Sequence, residues 1–243
     1  VRFATICSVQ FKLFSDFPVL MQRIPEPELM TTKEQVDAYA EADFSSGDAR
    51  TLALVEQLLN ETGSLPDNPL VVDLGCGPGN ITFRLAALLP NAQVIGIDGS
   101  EPMLSVAKQR SVDAPGDLQF ICMQLNEIAA DLKDSADLVV SNSLLHHLKD
   151  PGLLWTVTQS ISKPGCRVLH RDLRRPSTLA EVHHLQQQHL PNAPSILIQD
   201  FTASLIAAYT TDEVTEQLHR ANTTLLRAWP EDDRYLVVSG LVG

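Results

Sequence analysis

The sequence predicts an α/β fold: a doubly wound, mostly parallel sheet with an antiparallel C-terminal hairpin and an N-terminal helical cap. Three observations carry that prediction. Short apolar runs recur from residue 70 onward as PLVVDL, AQVIGID, DLQFICM, ADLVVSN and CRVLHRDL. Such runs, joined by longer amphipathic stretches, are how parallel strands buried on both faces read. ITFRLAALLP, EPMLSVAKQR and PGLLWTVTQSI supply the amphipathic stretches. Finally, NTTLLRAW and RYLVVSG flank the polar turn PEDD, which marks a hairpin closing the sheet edge.

Taken in chain order, residues 31–60 read as helical. Thr31 with Glu34 has the spacing of a capping box, in which each side chain satisfies the other's backbone donor. A second helix over about 48–61 carries Leu52, Leu54, Val55, Leu58 and Leu59 on one face. GSLPDNP then ends the cap. A polar loop follows the third strand, and a helical stretch over 177–190 follows the fifth. Two helices fill 199–221, the second opened by a Thr210–Glu213 capping box. The expected organisation is one domain over 1–243, with an extension (1–30), the cap (31–65) and the core (70–243).

Composition narrows the partners. The 243 residues are 44% hydrophobic and 20% charged, ordinary for a globular protein with a sizeable core. Eighteen basic against 30 acidic residues give a net charge of −12, a field that repels phosphate backbones and anionic lipid. Arg171, Arg174 and Arg175 form too short a basic run to offset it. No nucleic-acid or membrane partner is expected, and no apolar stretch nears the ~20 residues of a membrane span. Lys12 and Asp16 interrupt the apolar start and no small-residue cleavage site follows, so no signal peptide is expected. Cys7, Cys76, Cys122 and Cys166 show neither CxxC nor zinc-type spacing. The last three read as small buried hydrophobes in a reducing, cytoplasmic compartment. A small-molecule partner and no metal are the expectation; oligomeric state is not legible.

The stretch VVDLGCGPGN, residues 71–80, holds the binding signal. A glycine loop between a first strand and its helix is where open α/β sheets bind ligands. Gly75, Gly77 and Gly79 permit positive φ and close backbone approach. The dinucleotide pattern GxGxxG fails, because its third glycine position is Asn80, and no Gly-Lys-Ser/Thr of a P-loop follows. Asp73 precedes the loop; a carboxylate there disfavours a pyrophosphate and welcomes an ammonium group. Asp98 ends the next strand in GIDGS, where a carboxylate accepts hydrogen bonds from a ribose diol.

DLGCGPG, then GIDGSEPML, then SNSLLHHLKDP resemble the class I S-adenosylmethionine-dependent methyltransferases, near the small-molecule group that includes ubiquinone/menaquinone-type enzymes. The resemblance covers residues 70–172. It implies a Rossmann-like core, S-adenosyl-L-methionine as cofactor and S-adenosyl-L-homocysteine as product. It also implies that the glycine loop, with Asp73, Gly75, Cys76, Gly77 and Gly79, holds the methionine moiety, that Asp98 holds the ribose, that Gly99 belongs to the cofactor site, and that Met103 packs on adenine. Ser141 and Asn142 resemble positions near the methionine end. Where the family commonly carries an adenine-binding acid, this chain has Gln124, whose amide oxygen can still accept that hydrogen bond.

Methyl transfer from a sulfonium needs positioning and water exclusion more than a fixed catalytic group. Candidate catalytic residues are His146 and His147, as proton acceptors or as satisfiers of the following helix start, and Asp172 at the end of the fifth strand. Asp172 either faces substrate or pairs with Arg171, Arg174 or Arg175; Arg174 is the candidate for holding a substrate carboxylate. Tyr39 and Phe44 either close over the site or pack the cap onto the core. QDFTASLIAAYT is apolar enough to line a pocket. His183, His184 and His189 are spaced too poorly for a metal and read as a solvated helix face. The expected function is methyl transfer to a small molecule, with a non-catalytic cofactor-binding protein or a protein/tRNA methyltransferase as alternatives.

Overall fold

The computed structural model describes residues 21–27, 29–128 and 132–243. The expected extension up to residue 20, with Cys7, lies outside the described residues. The chain runs α1 (Lys33–Glu41), α2 (Ser45–Thr62), β1 (Leu70–Leu74), α3 (Asn80–Leu88), β2 (Gln93–Asp98), α4 (Glu101–Ser111), β3 (Asp117–Cys122) and α5 (Leu125–Ile128). It continues with β4 (Ala136–Asn142), a 3₁₀ turn (Leu145–His147), α6 (Gly152–Ile161), β5 (Ser162–Leu173), α7 (Leu179–His189), α8 (Ser195–Ala207), α9 (Thr211–Arg220), β6 (Leu226–Pro230) and β7 (Tyr235–Leu241).

One sheet orders its strands β3-β2-β1-β4-β5-β7-β6. The first five strands are mutually parallel, and β7 enters antiparallel between β5 and β6. The doubly wound reading with a terminal hairpin is borne out. Side-chain alternation explains why both faces are covered. Val72, Leu74, Ile95 and Val139 pack on one face with Trp155 of α6 and Val214 of α9. Their neighbours Val71, Val94, Leu138 and Val140 pack on the other with Leu54, Val55 and Leu58 of α2 and Leu85 of α3. The cap is therefore not a separate lobe: α2 is part of one helical layer. Arg167 seats its C-terminal end by donating to the carbonyls of Thr62, Gly63 and Ser64.

Some local expectations shift. Thr32, not Thr31, caps α1, its hydroxyl accepting from Gln35 N, because Thr31 stands one residue too far from the first turn. The Thr210–Glu213 box forms as read. The polar loop after β3 contains the short α5. Cys76 and Cys166 are buried, but Cys122, at the C-terminal end of edge strand β3, is exposed. Arg171 and Arg175 are buried, so the basic run forms no surface patch. No helix among the described residues is long and apolar enough to cross a membrane.

Candidate active site

Order reverses at β1, whose neighbours β2 and β4 lead to opposite edges. The crevice beyond the strand ends at such a point is the ligand position in open α/β sheets. A cavity of about 750 Å³ lies there.

The glycine loop forms its floor. Gly75 and Cys76 donate their N–H groups to Ile97 O at 2.8 and 3.0 Å, pinning the loop against β2. Gly75 has φ +67°, and a Cβ on it would come 2.7 Å from Leu144 Cδ1. Gly75→Ala is expected to destabilise the fold by about 1–2 kcal/mol, from the left-handed backbone alone, read as a lower denaturant midpoint with unchanged slope. Gly77 also lines the cavity, at φ +53°, but a Cβ there would meet nothing within 4 Å. The loop thus leaves an open shelf over its middle glycine. Gly79 does not line the cavity: it starts α3 in a left-handed conformation and packs against Phe83 and Phe120. Arg110 ties loop to cap by donating to Pro78 O, Asn80 Oδ1 and Ala40 O.

Two acids border the shelf. Asp98 Oδ2 accepts from Gly77 N at 2.8 Å and Oδ1 from Ser100 N at 2.7 Å. Each oxygen keeps a lone pair for a guest. Burial raises its pKa, against those two backbone donors. Asp73 is 1% exposed, and its Oδ2 accepts from Thr82 Oγ1 at 2.6 Å. Its pKa is pushed up to about 7 by burial, with the Asp98 and Asp48 carboxylates adding to the shift against the Thr82 bond. Gly99, Met103, Gln124 and Asn142 complete this end. A Cβ on Gly99 would come 2.8 Å from Gln124 Nε2, so the amide lies directly on the Asp98–Ser100 turn. An ammonium for Asp73, hydroxyls for Asp98 and a flat ring beside Met103 and Gln124 fit these residues as a set. Ser141 is a correction: it is buried, makes a 2.8 Å hydrogen bond with His170 Nδ1 and does not line the cavity, because strand alternation turns it into the sheet's other face.

The opposite end gathers distant segments. Ser143, at φ +59°, turns the chain from β4 into the 3₁₀ turn that presents His146 and His147 to the cavity. Asp172 is buried and does not line it. Its Oδ2 accepts from Leu145 N and its Oδ1 bonds His146 Nδ1, both at 2.6 Å. Asp172 is therefore a positioning residue for the turn, bonded to a histidine rather than to an arginine or substrate. Burial opposes charge on His146, but Asp172 and then Glu26 raise its pKa on balance. Burial, with the neighbouring His146 adding, lowers His147 to about 3.

Tyr39 and Phe44 line the cavity and pack on each other, ring centroids 4.6 Å apart, so both readings of the pair hold at once. Arg174 is a second correction: it donates to the Asp232 and Asp233 carbonyls and bridges to the β6–β7 turn instead of entering the cavity. Arg171, one pleat away from Asp172, does line it, with Arg234 and Tyr235 from the start of β7. The Arg171 guanidinium lies 3.5 Å over the Tyr235 ring. It stands 3.5 Å from Glu231 Oε2 and 3.7 Å from Asp232 Oδ2. Of the helix histidines, His183 and His184 are exposed as expected, whereas His189 lines the cavity and pairs with Asp233 at 2.8 Å. Leu197, Phe201 and Ser204 of α8 add the pocket wall that QDFTASLIAAYT suggested.

Residues 21–27, 29 and 30, assigned by sequence to an extension, pack at the site. Arg23 donates to the carbonyls of His146, Leu148 and Ala207, Ser100 Oγ donates to Met30 O, and Leu29 and Met30 line the cavity. Glu26 and Arg234 were missed; antiparallel entry of β7, legible from the hairpin, is the signal that places Arg234 at the strand ends.

A family model described as a methyltransferase domain matches residues 67–222. A trans-aconitate 2-methyltransferase of Methylobacterium nodulans is 30% identical over 172 residues, 70% of this chain and 56% of that protein. A ubiquinone biosynthesis O-methyltransferase of Chromobacterium violaceum is 31% identical over 105 residues, 43% of this chain and 44% of that protein. The aligned chain thus spans about half the length of these two relatives. Among solved structures, the plantazolicin methyltransferase BamL, in complex with a triazolic desmethylPZN analog and SAH, matches with a TM-score of 0.66. That match covers 86% of this chain and 90% of the other at 14% identity, a likeness of fold. With the family model spanning the glycine loop, Asp98 and the histidine turn, the chain belongs to the class I S-adenosylmethionine-dependent methyltransferase family.

Proposed function

We propose that this protein transfers the methyl group of S-adenosylmethionine to an oxygen of a small organic acid. The observation that carries this reading is the polarity of this cavity. Asp73, buried, and Asp98, partly buried, border the glycine shelf, while Arg171, which donates to Asn142 Oδ1, and Arg234 also line the cavity. Arg171 Nε and Arg234 Nη1 are buried without hydrogen-bond partners. Arg171 Nη1 and Nη2 are already taken up by Asn142 and Glu231; a buried guanidinium nitrogen left unpaired is costly, and an oxygen of a substrate carboxylate would answer it.

At the cofactor end, Asp73 and the Gly75–Gly77 shelf take the ammonium and carboxylate of the methionine moiety, Asp98 the ribose, and Met103, Gln124 and Gly99 the adenine. Bound there, the cofactor offers a sulfonium methyl that passes to the acceptor oxygen as its carbon–sulfur bond breaks, leaving S-adenosylhomocysteine. Tyr39, Phe44 and Phe201 exclude water from the gap. The histidines argue in the same direction. His147, near 3, is a feeble base, and His146, raised above the ordinary histidine value by Asp172 and Glu26, has its Nδ1 committed to Asp172. Neither is poised as a general base at pH about 7. An acid with a pKa of about 4 is already ionised and requires none. The relative named for trans-aconitate, an organic acid, supports this reading, as does O-methylation in the other relative's name.

The test is a turnover screen of di- and tricarboxylates, phenols and quinols, following release of S-adenosylhomocysteine. Acid acceptors should turn over; Arg171→Lys should lower kcat/KM for them about tenfold or more, through loss of the planar fork, with cofactor affinity retained. Arg234→Gln is the second variant, at a less buried position. Turnover confined to phenols or quinols sinks the acid reading, and cofactor binding with no turnover on any acceptor favours a regulatory binder.

A further inference from the structure

Beyond the cofactor end, one cluster of metal-capable side chains occurs among the described residues. The ligand atoms of Glu26, His146 and His147 lie within 4.8 Å of one another. Glu26 Oε1 stands 3.2 Å from His147 Nδ1 and 3.5 Å from His146 Nε2. Tetrahedral zinc with bonds of about 2.0–2.1 Å has ligand–ligand edges of roughly 3.3–3.4 Å, the same spacing.

Proton placement sharpens the point. His146 Nδ1 is committed to the Asp172 carboxylate at 2.6 Å, which puts the ring proton on Nδ1 and turns Nε2 toward Glu26. His147 makes a backbone hydrogen bond to Pro27. Proline has no N–H, so the Pro27 carbonyl accepts and the ring donates. His147 Nδ1 is buried and has no hydrogen-bond partner, so the donating atom is Nε2 and Nδ1 carries a bare lone pair. That lone pair faces Glu26 Oε1 at 3.2 Å. One divalent cation between the three atoms answers all of them.

The surroundings suit such an ion. Ser204 Oγ bonds the Glu26 carboxylate at 3.1 and 3.3 Å and fixes its direction. Asp172 supplies the carboxylate–histidine support that orients metal ligands and raises their basicity. The nearby cation, Arg23, is taken up by three backbone carbonyls and by the face of Tyr209. His146 and His147 line the acceptor end of the cavity, so a further coordination position would open onto it.

We propose that Glu26, His146 and His147 form a site for a divalent transition-metal ion of the zinc class, oriented by Asp172 and open to the acceptor end of the cavity. The proposal rests on this cluster alone and holds whatever the acceptor is. The full chain, purified without a histidine tag and stripped with a chelator, is titrated with Zn²⁺ or Co²⁺, and bound metal is counted by mass spectrometry after dialysis. One equivalent per chain should bind, with a tetrahedral Co²⁺ d–d spectrum. Glu26→Gln and His147→Asn should each weaken binding about 100-fold or more, and Asp172→Asn about 10–100-fold. His183→Asn with His184→Asn, on the exposed face of α7, should leave the stoichiometry at one. Thermal melting reports folding of each variant; if His147→Asn does not fold, Glu26→Gln, on the N-terminal segment, makes the same test. No stoichiometric Zn²⁺ or Co²⁺ in folded wild type, or one equivalent surviving Glu26→Gln, overturns the proposal. Acid turnover without metal binding sinks this inference alone; metal binding without acid turnover sinks only the acceptor reading.

Discussion

Asp98→Ala is expected to weaken binding of S-adenosylhomocysteine by about 1–3 kcal/mol, roughly 5- to 150-fold, in calorimetry near neutral pH. The loss has two parts. The variant removes two lone-pair positions at the end of β2 that the proposed function assigns to a ribose diol, and bonds to a charged group are the stronger kind. It also frees Gly77 N and Ser100 N, both now held by this carboxylate, so the shelf loses the group that shapes it. Asp98→Asn separates the parts: it keeps one acceptor oxygen and the side-chain volume but loses the charge, and should fall between wild type and alanine. Unchanged affinity in Asp98→Ala would refute the ribose assignment.

Affinity for the same ligand should also fall by about 30-fold, near 2 kcal/mol, on going from about pH 7.5 to about pH 5.5. In the free protein Asp73 holds a proton with a pKa of about 7, because burial disfavours its charge. An ammonium group beside it favours the carboxylate, so the bound pKa is lower and a proton leaves on binding. The sign follows: affinity rises with pH up to about 7 and then levels. Asp98, also raised by burial, steepens the acid side. Calorimetry at about pH 6.5 in buffers of different ionisation enthalpy should show net proton release. Asp73→Asn should bind more weakly at the upper pH and lose most of the slope; a flat wild-type profile means the ammonium group is held elsewhere.

The cofactor end was legible in the sequence because it is local. Gly75, Gly77 and Asp73 fall within five residues of one another, and Asp98 ends the adjacent strand, so period-two alternation and a strand-to-helix turn suffice to bring them together. Where that logic failed, side-chain direction was the reason: Ser141 ends in the opposite face with His170, and Gly79 faces the helix packing.

The acceptor end is non-local. Leu29, Tyr39, His146, Arg171, Phe201 and Arg234 line one cavity because β7 runs antiparallel to β5 and because the N-terminal segment crosses the strand ends. Residue type marked Asp172 and Arg174 as candidates, yet a one-residue change of parity in β5 sends Arg171 to the cavity and Asp172 behind the histidine turn. By itself, then, the sequence determined the sheet, the family and the glycine shelf, because hydrophobic periodicity and turn chemistry are properties of contiguous residues. Which charges line the cavity, and that Glu26 meets two histidines, was decided only by tertiary packing, since the lining joins segments up to 206 residues apart in sequence (Leu29 to Tyr235, 235 − 29).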